Sequence, residues 1–592
     1  MNVIGSAMHL RIEKAKATLF VVTGVVLGGC GPETDLLPQR SVESVADAYL
    51  AAMLHRYPAT GTYYSIPGAR HDELFDNSPA ALADWQQRED EWLAELEAIG
   101  RPTEVGSRDW LTYGMLYSEL TSSRATRICR SELWSASSAT AWHTGMPFIF
   151  DIQPLETAEL RAQALARLGK VAGYIATEIS NLKRGLQLGF SAPRPTVVTV
   201  PAEIRALLQA DNPFLNMAGR IDDDEFGDGV QRIFAEQIAP AIERYAAFIE
   251  SEYLPQARET IALSENPDGA SCYPALVGSF ATVNKPAEEI HALGLEQVAG
   301  IRREMQAIIE EHFGGSNVSD FLRQLNNDPR YTFVSQDAVL EHARDALNAV
   351  RDRMPEAFNL LPKADVVIKP YPAYRASGTG EYHSSSEDGT RPGVFYLPVV
   401  DPRHRSRAGQ QSFLFHETLP GHHLQGAIAL ELGDKVHPLA RYLWNSGYGE
   451  GWALYAERLA DEMGLYSGPL DRMGMLSDQS ARAVRLVIDT GLHTKGWTRQ
   501  QAVDYMLANT AWSAVDVESE INRYIAWPGQ AVSYMLGMLE IRRLRSRAEE
   551  RLVGEFDIRE FHDRVLENGS VTLSMLDDVV NAWIDGASRA AK

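Results

Sequence analysis

The stretch FLFHETLPGHHLQGA, residues 413 to 427, holds the residue types of a zinc-binding helix at an altered spacing. In a His-Glu-x-x-His helix the two histidines stand four residues apart, so both point off one face and share a cation, with the glutamate placed to move protons. Here Pro420 occupies the position four after His416. Chance explains the cluster poorly: fifteen histidines in 592 residues place about 0.2 in any eight-residue window, and positions 416 to 423 hold three. His416 and Glu417 also follow directly on Phe413, Leu414 and Phe415. An ionisable pair in such an apolar, buried setting is costly unless it is bonded or coordinates something.

In a straight helix His423, seven residues on, returns to within about 20° of the direction of His416 but stands about 10 Å further along the axis. That is too far to share one ion at a Zn–N distance of about 2 Å. His422, six on, lies at the wrong angle in a straight rod. Pro420 removes a backbone donor and Gly421 permits unusual dihedrals, so a bend or bulge is expected there. It would bring His422 beside His416, making Pro420-Gly421 an insertion inside the motif. His422 is the preferred second ligand and His423 the alternative. A catalytic zinc commonly takes three protein ligands and leaves a position for water. Glu450, in SGYGEGWALYAERL, is the candidate third. Glu457 competes for that role, and orienting a ligand histidine would also suit it. Glu417 is then the candidate base, taking a proton from metal-activated water and passing it to the leaving amine. Tyr524 and Tyr534 lie either side of a Pro-Gly turn in RYIAWPGQAVSYMLGMLE. Either phenol could donate to a developing oxyanion without adding a competing charge.

The elements that must position these residues read as helices. In FAEQIAPAIERYAAFIESEYLP the apolar residues Ile238, Ile242, Tyr245 and Ile249 recur at helical spacing, with Pro255 closing the run. VAGIRREMQAIIEEHFGG repeats the pattern through Val298, Ile301, Met305 and Ile308, with Gly314 placed to end it. Strand-like segments are scarce. VVIKPYPAYRA (366 to 376) and GVFYLPVV (393 to 400) flank a Gly-, Ser- and acid-rich loop and predict a small antiparallel sheet just before the histidine cluster. DDDEFGDG, 222 to 229, reads as a solvated loop. The expected fold is mostly α: a helical lobe over 41–360, then a catalytic lobe over 361–592 carrying the small sheet and the zinc-motif helices.

The N-terminus differs from this body. Arg11, Lys14 and Lys16 precede the apolar run ATLFVVTGVVLGG and Cys30. Thirteen residues fall short of the roughly 20 a membrane helix needs, so residues 1–29 read as an export signal and 30–40 as a linker. LGGC resembles the lipobox of bacterial lipoproteins, which implies lipidation of Cys30, and Gly31 in place of a retention aspartate points by that resemblance to the outer membrane. Cys129 and Cys272 are left over, and their pairing is open on sequence alone. With 56 Lys plus Arg against 79 Asp plus Glu, a net charge of −23 makes nucleic acid an unsuitable partner.

Together HETLPGH, EGWALYAE and YIAWPGQAVSY resemble the DUF885 family, bacterial lipoproteins and relatives with a His-Glu-x-x-Pro-Gly-His signature, similar to gluzincin metallopeptidases. The resemblance covers most of the chain after Cys30. It implies a two-lobed helical clamshell with a deep cleft, related to angiotensin-converting enzyme and the oligopeptidases. It also implies one zinc held by His416, His422 and Glu450, and RPGVFYLP as the edge strand along which a peptide lies. The expected function is a zinc metallopeptidase of the cell envelope, lipid-anchored and facing the periplasm. Glu417 is its base, Tyr534 and Tyr524 stabilise the oxyanion, and short peptides are the substrate. The alternatives are a peptide-binding lipoprotein without turnover, and a zinc hydrolase of a non-peptide amide.

Overall fold

The helical periods of the sequence are realised along nearly the whole chain. The computed structural model describes residues 40–590 apart from 210, 316, 372–379 and 388–390, so the leader, Cys30 and most of the linker lie outside the described residues. Ile238, Ile242, Tyr245 and Ile249 are buried on one face of a run of helical turns from Asp224 to Tyr253. Val298, Ile301, Met305 and Ile308 are likewise buried on the helix Ala287–His312, with Gly314 in the left-handed region beyond its end. DDDEFGDG departs from the expected loop. Asp223 accepts the backbone N–H of Phe226 as an N-cap, and Asp224 and Glu225 open the helix Asp224–Ile233, where its dipole favours negative charge.

Seven helices frame the histidine cluster: α1 (Ala287–His312), α2 (Gln410–Glu417), α3 (His422–Glu431), α4 (Ser446–Glu462), α5 (Pro469–Thr494), α6 (Ala514–Ala526) and α7 (Ser533–Arg551). α1 lies along α5, and α4 along α7. The second pair approaches very closely: a Cβ on Gly537 of α7 would stand 1.8 Å from the Gly447 carbonyl oxygen of α4, and one on Gly451 of α4 would stand 2.5 Å from Gly537 backbone. Only glycine permits that crossing.

The sheet corrects the expectation in two ways. Strands β1 (Val366–Pro370), β2 (Glu381–His383) and β3 (Gly393–Leu397) lie in the order β1-β3-β2. β1 pairs parallel with β3, Val366 opposite Gly393, whereas β2 pairs antiparallel with β3, Tyr382 opposite Phe395. The sheet is therefore mixed, because the Gly- and Ser-rich connection contains a strand of its own. β3 is central rather than an edge, so RPGVFYLP has both sides paired. Its run of buried Gly393, Val394, Phe395 and Leu397 is what a central strand covered on both faces requires.

Three apolar clusters hold the described chain together. One gathers residues between Val42 and Leu120 with Leu439, a second spans Ala136 to Ala257, and the largest draws side chains from both sides of residue 360. Cys129 and Cys272 form a disulfide, with Cα atoms 4.9 Å apart, joining the end of the helix Arg108–Thr126 region to the helix Gly269–Ala281. Among the described residues no helix is long and apolar enough to cross a membrane.

Candidate metal centre

The Pro-Gly step breaks the rod rather than bending it. α2 ends at Glu417, the Leu419-Pro420 peptide is cis, and α3 starts at His422. The chain doubles back so tightly that a Cβ on Gly421 would lie 2.0 Å from the His416 carbonyl oxygen. Trp452 of α4 donates its indole N–H to the Pro420 carbonyl at 3.0 Å and pins the turn. As a result the His416 and His422 rings stand 4.8 Å apart, nearly perpendicular.

Glu450 completes a set of three. Its Oε2 lies 3.6 Å from His416 Nε2 and 3.4 Å from His422 Nε2, and the donor atoms of all three residues fall within 4.8 Å of one another. These gaps exceed a good hydrogen bond. Two ligands at about 2.05 Å on a tetrahedral zinc stand about 3.4 Å apart, so the spacing suits a shared cation better than direct bonding. Two imidazoles and one carboxylate are also a donor set zinc accepts.

Glu457 is the orienting carboxylate. It is fully buried; its Oε1 lies 2.8 Å from His416 Nδ1, and its Oε2 accepts from Ser412 at 2.9 Å and Gln479 at 3.2 Å. A carboxylate only accepts, so Nδ1 carries a hydrogen toward Glu457 while Nε2 faces Glu450. His423 has no such freedom. Its Nε2 donates to the Ala364 carbonyl at 3.0 Å and its Nδ1 accepts from the Tyr382 hydroxyl at 2.9 Å, tying α3 to the sheet. Burial lowers its pKa to about 4, so it is a neutral structural residue.

Burial pulls the His416 imidazole down, but the carboxylates of Glu450 and Glu457 outweigh it and hold it at about 9. For Glu450 burial pushes up, yet the two imidazoles keep it well below the usual carboxylate range. Glu417, adjacent in sequence to His416, is raised above that range by burial despite both imidazoles nearby.

The two tyrosines separate. The Tyr534 ring lies parallel to that of His416 at 6.4 Å, and the Glu450 charge adds to burial in raising its pKa. Tyr524, by contrast, is fully buried, gives its hydroxyl hydrogen to Glu520 at 2.7 Å and accepts from Arg485 Nε at 2.8 Å. Its hydroxyl hydrogen is thus directed to a carboxylate, and its other partner, Arg485, has its guanidinium 4.4 Å from the Tyr534 ring centre.

Arg482 and Arg485 were not anticipated from the sequence. α5 turns Asp478, Arg482, Arg485 and Asp489 toward the protein interior, spaced four, three and four apart. Arg482 lies 3.6 Å from Glu457 and 3.6 Å from Asp478. Charged residues at helical spacing on a buried face were the available signal.

With this site on a mostly helical body with a small mixed sheet, the chain belongs to the family of bacterial proteins of unknown function DUF885, whose model matches residues 58–580. Its fold is similar to that of a putative lipoprotein from Colwellia psychrerythraea, at 26% identity and a TM-score of 0.86, with 92% of this chain and 100% of that one covered. It is also similar to a putative lipoprotein of unknown function from Shewanella oneidensis, at 16% identity and a TM-score of 0.72 over the same shares. A putative oligoendopeptidase F from Bacillus anthracis matches with a TM-score of 0.30 and 9% identity, over 86% of this chain and 95% of that one, too little to carry an argument. No curated protein matches the chain.

Proposed function

We propose that this protein is a zinc-dependent hydrolase of short peptides, tethered to the bacterial cell envelope through Cys30. The observation that carries the reading is the convergence of His416, His422 and Glu450 within 4.8 Å, with Glu417 beside the first of them. His416, His422 and Glu450 would hold the ion, which supplies Lewis acidity and lowers the pKa of a bound water to about 7. Glu457 holds the Nδ1 hydrogen of His416 and turns Nε2 toward the site, where metal binding would release the remaining proton. Glu417 accepts the proton of the attacking water on its carboxylate and delivers it to the leaving nitrogen. Tyr534 donates its phenolic hydrogen to the oxygen that gains charge, with Arg485 packed over its ring to hold it in place. The names of the two solved relatives support the anchor, and the leader ending in LGGC supports export.

The test is cleavage of a mixed peptide library by the zinc-loaded chain, read by mass spectrometry, alongside Glu417→Gln. Cleavage by the parent that falls by about 10²- to 10⁴-fold in the variant is expected. An uncleaved library would leave a peptide-binding scaffold or a hydrolase of another amide.

A further inference from the structure

Exposure rises steadily across the centre. Glu457 is sealed, the side chain of His416 is 4% exposed, and those of His422 and Glu450 are 13% and 14% exposed. Next along this gradient stands Trp444, 58% exposed, ahead of Trp527 at 41% and Tyr57 at 36% among the exposed aromatic residues described. Trp444 is thus the most exposed aromatic residue described, and it stands beside His422.

Its position is built. The Trp444 ring lies 5.7 Å from that of His422 at 61°. Its far edge covers Gly449, the residue before Glu450, where a Cβ would stand 2.2 Å from Cη2. The indole thus occupies room that only glycine leaves, against two of the three ligand-bearing segments. The next residue is fixed as well: Asn445 donates its N–H to Ser570 Oγ at 3.0 Å and caps α4 by accepting from Tyr448 N–H. An indole left in water beside a polar set of side chains has a physical use, since an aromatic face can stack on an apolar or aromatic group.

We propose that Trp444 is a specificity-determining wall of the site, stacking on the substrate residue next to the scissile bond and favouring aromatic or large aliphatic side chains there. This rests on the peptidase reading of the site. An aromatic pair of this kind corresponds to about three- to tenfold in preference.

The experiment uses the full zinc-loaded chain, Trp444→Ala and Trp444→Phe, with blocked peptides that differ only by Phe or Ala on either side of the cleaved bond. The parent should favour the Phe peptide severalfold in kcat/KM, mainly through KM. Trp444→Ala should bring the two peptides to near parity while keeping its zinc and its cleavage of the Ala peptide, and Trp444→Phe should retain most of the preference. An unchanged preference in Trp444→Ala overturns the proposal. So does an equal loss of both activities together with zinc, which would make the indole a support for His422 alone. If the parent cleaves neither peptide, the peptidase reading fails separately, and calorimetric binding of the same two peptides decides. Tighter binding of the Phe peptide that depends on Trp444 upholds the wall; equal binding or none overturns it.

Discussion

Each side chain at the centre has one task, set by what its second atom touches. Glu457 shows this best, because four groups on α2 and α5 converge on one carboxylate: His416, Ser412, Gln479 and Arg482. Glu457→Gln should weaken zinc binding about 10- to 100-fold, measured by competition with a chelator, while leaving the ligands themselves in place. Unchanged affinity would remove Glu457 from the centre. Glu417→Gln should instead retain its zinc and lose turnover, so the two carboxylates separate cleanly by measurement. The convergence of His416 and His422 was legible in the sequence because clustered histidines beside buried aromatic residues need a reason. The choice of His422 over His423 was weaker, since it turned on how far two residues could redirect the chain. The hydrogen bond of Tyr524 was not legible: a phenol at the right spacing says nothing about the carboxylate four residues earlier that accepts from it.

At the scale of elements, the site depends on a place where backbones nearly touch and on a turn held by a buried carboxyl. Gly421→Ala would force a Cβ into the carbonyl that ends α2. A cost of about 1–3 kcal/mol in stability, read by denaturant unfolding, with a loss of zinc stoichiometry, is the expected outcome. A variant as stable as the parent that still holds zinc would show that the fold-back is not needed. The turn between α6 and α7 is held by Asp489, which is fully buried and accepts from Tyr273 at 2.6 Å and from the Gly529 N–H at 3.1 Å. Burial raises this carboxyl to about 7. Because its unfolded pKa is about 3.9, the folded state binds the extra proton between about pH 4 and 7, and stability falls as pH rises through that window. Asp489→Asn should flatten this slope, which is at most about 1.4 kcal/mol per pH unit, in melts recorded from pH 4 to 8. Identical slopes would refute the assignment. The helices were legible because their apolar faces repeat at helical spacing. The strand pairing was not, because β2 is only three residues long and sits inside a segment whose composition reads as loop.

Across the whole molecule, the disulfide and the glycine crossing of α4 and α7 join parts of the chain far apart in sequence. Cys129 and Cys272 enclose a separation of 143 residues, and replacing both with serine should lower stability by about 2–5 kcal/mol in non-reducing buffer. No change would show that the bond is dispensable. What sequence could not supply is how the polar face of α5 meets α2, α4 and α6, since side chains separated by tens to hundreds of residues meet only after folding. The central claim is that His416, His422 and Glu450 grip one cation. Elemental analysis of the full chain after zinc loading and dialysis tests it most directly. The account predicts one zinc per chain in the parent and close to none in His422→Ala; an undiminished zinc content in that variant would contradict it.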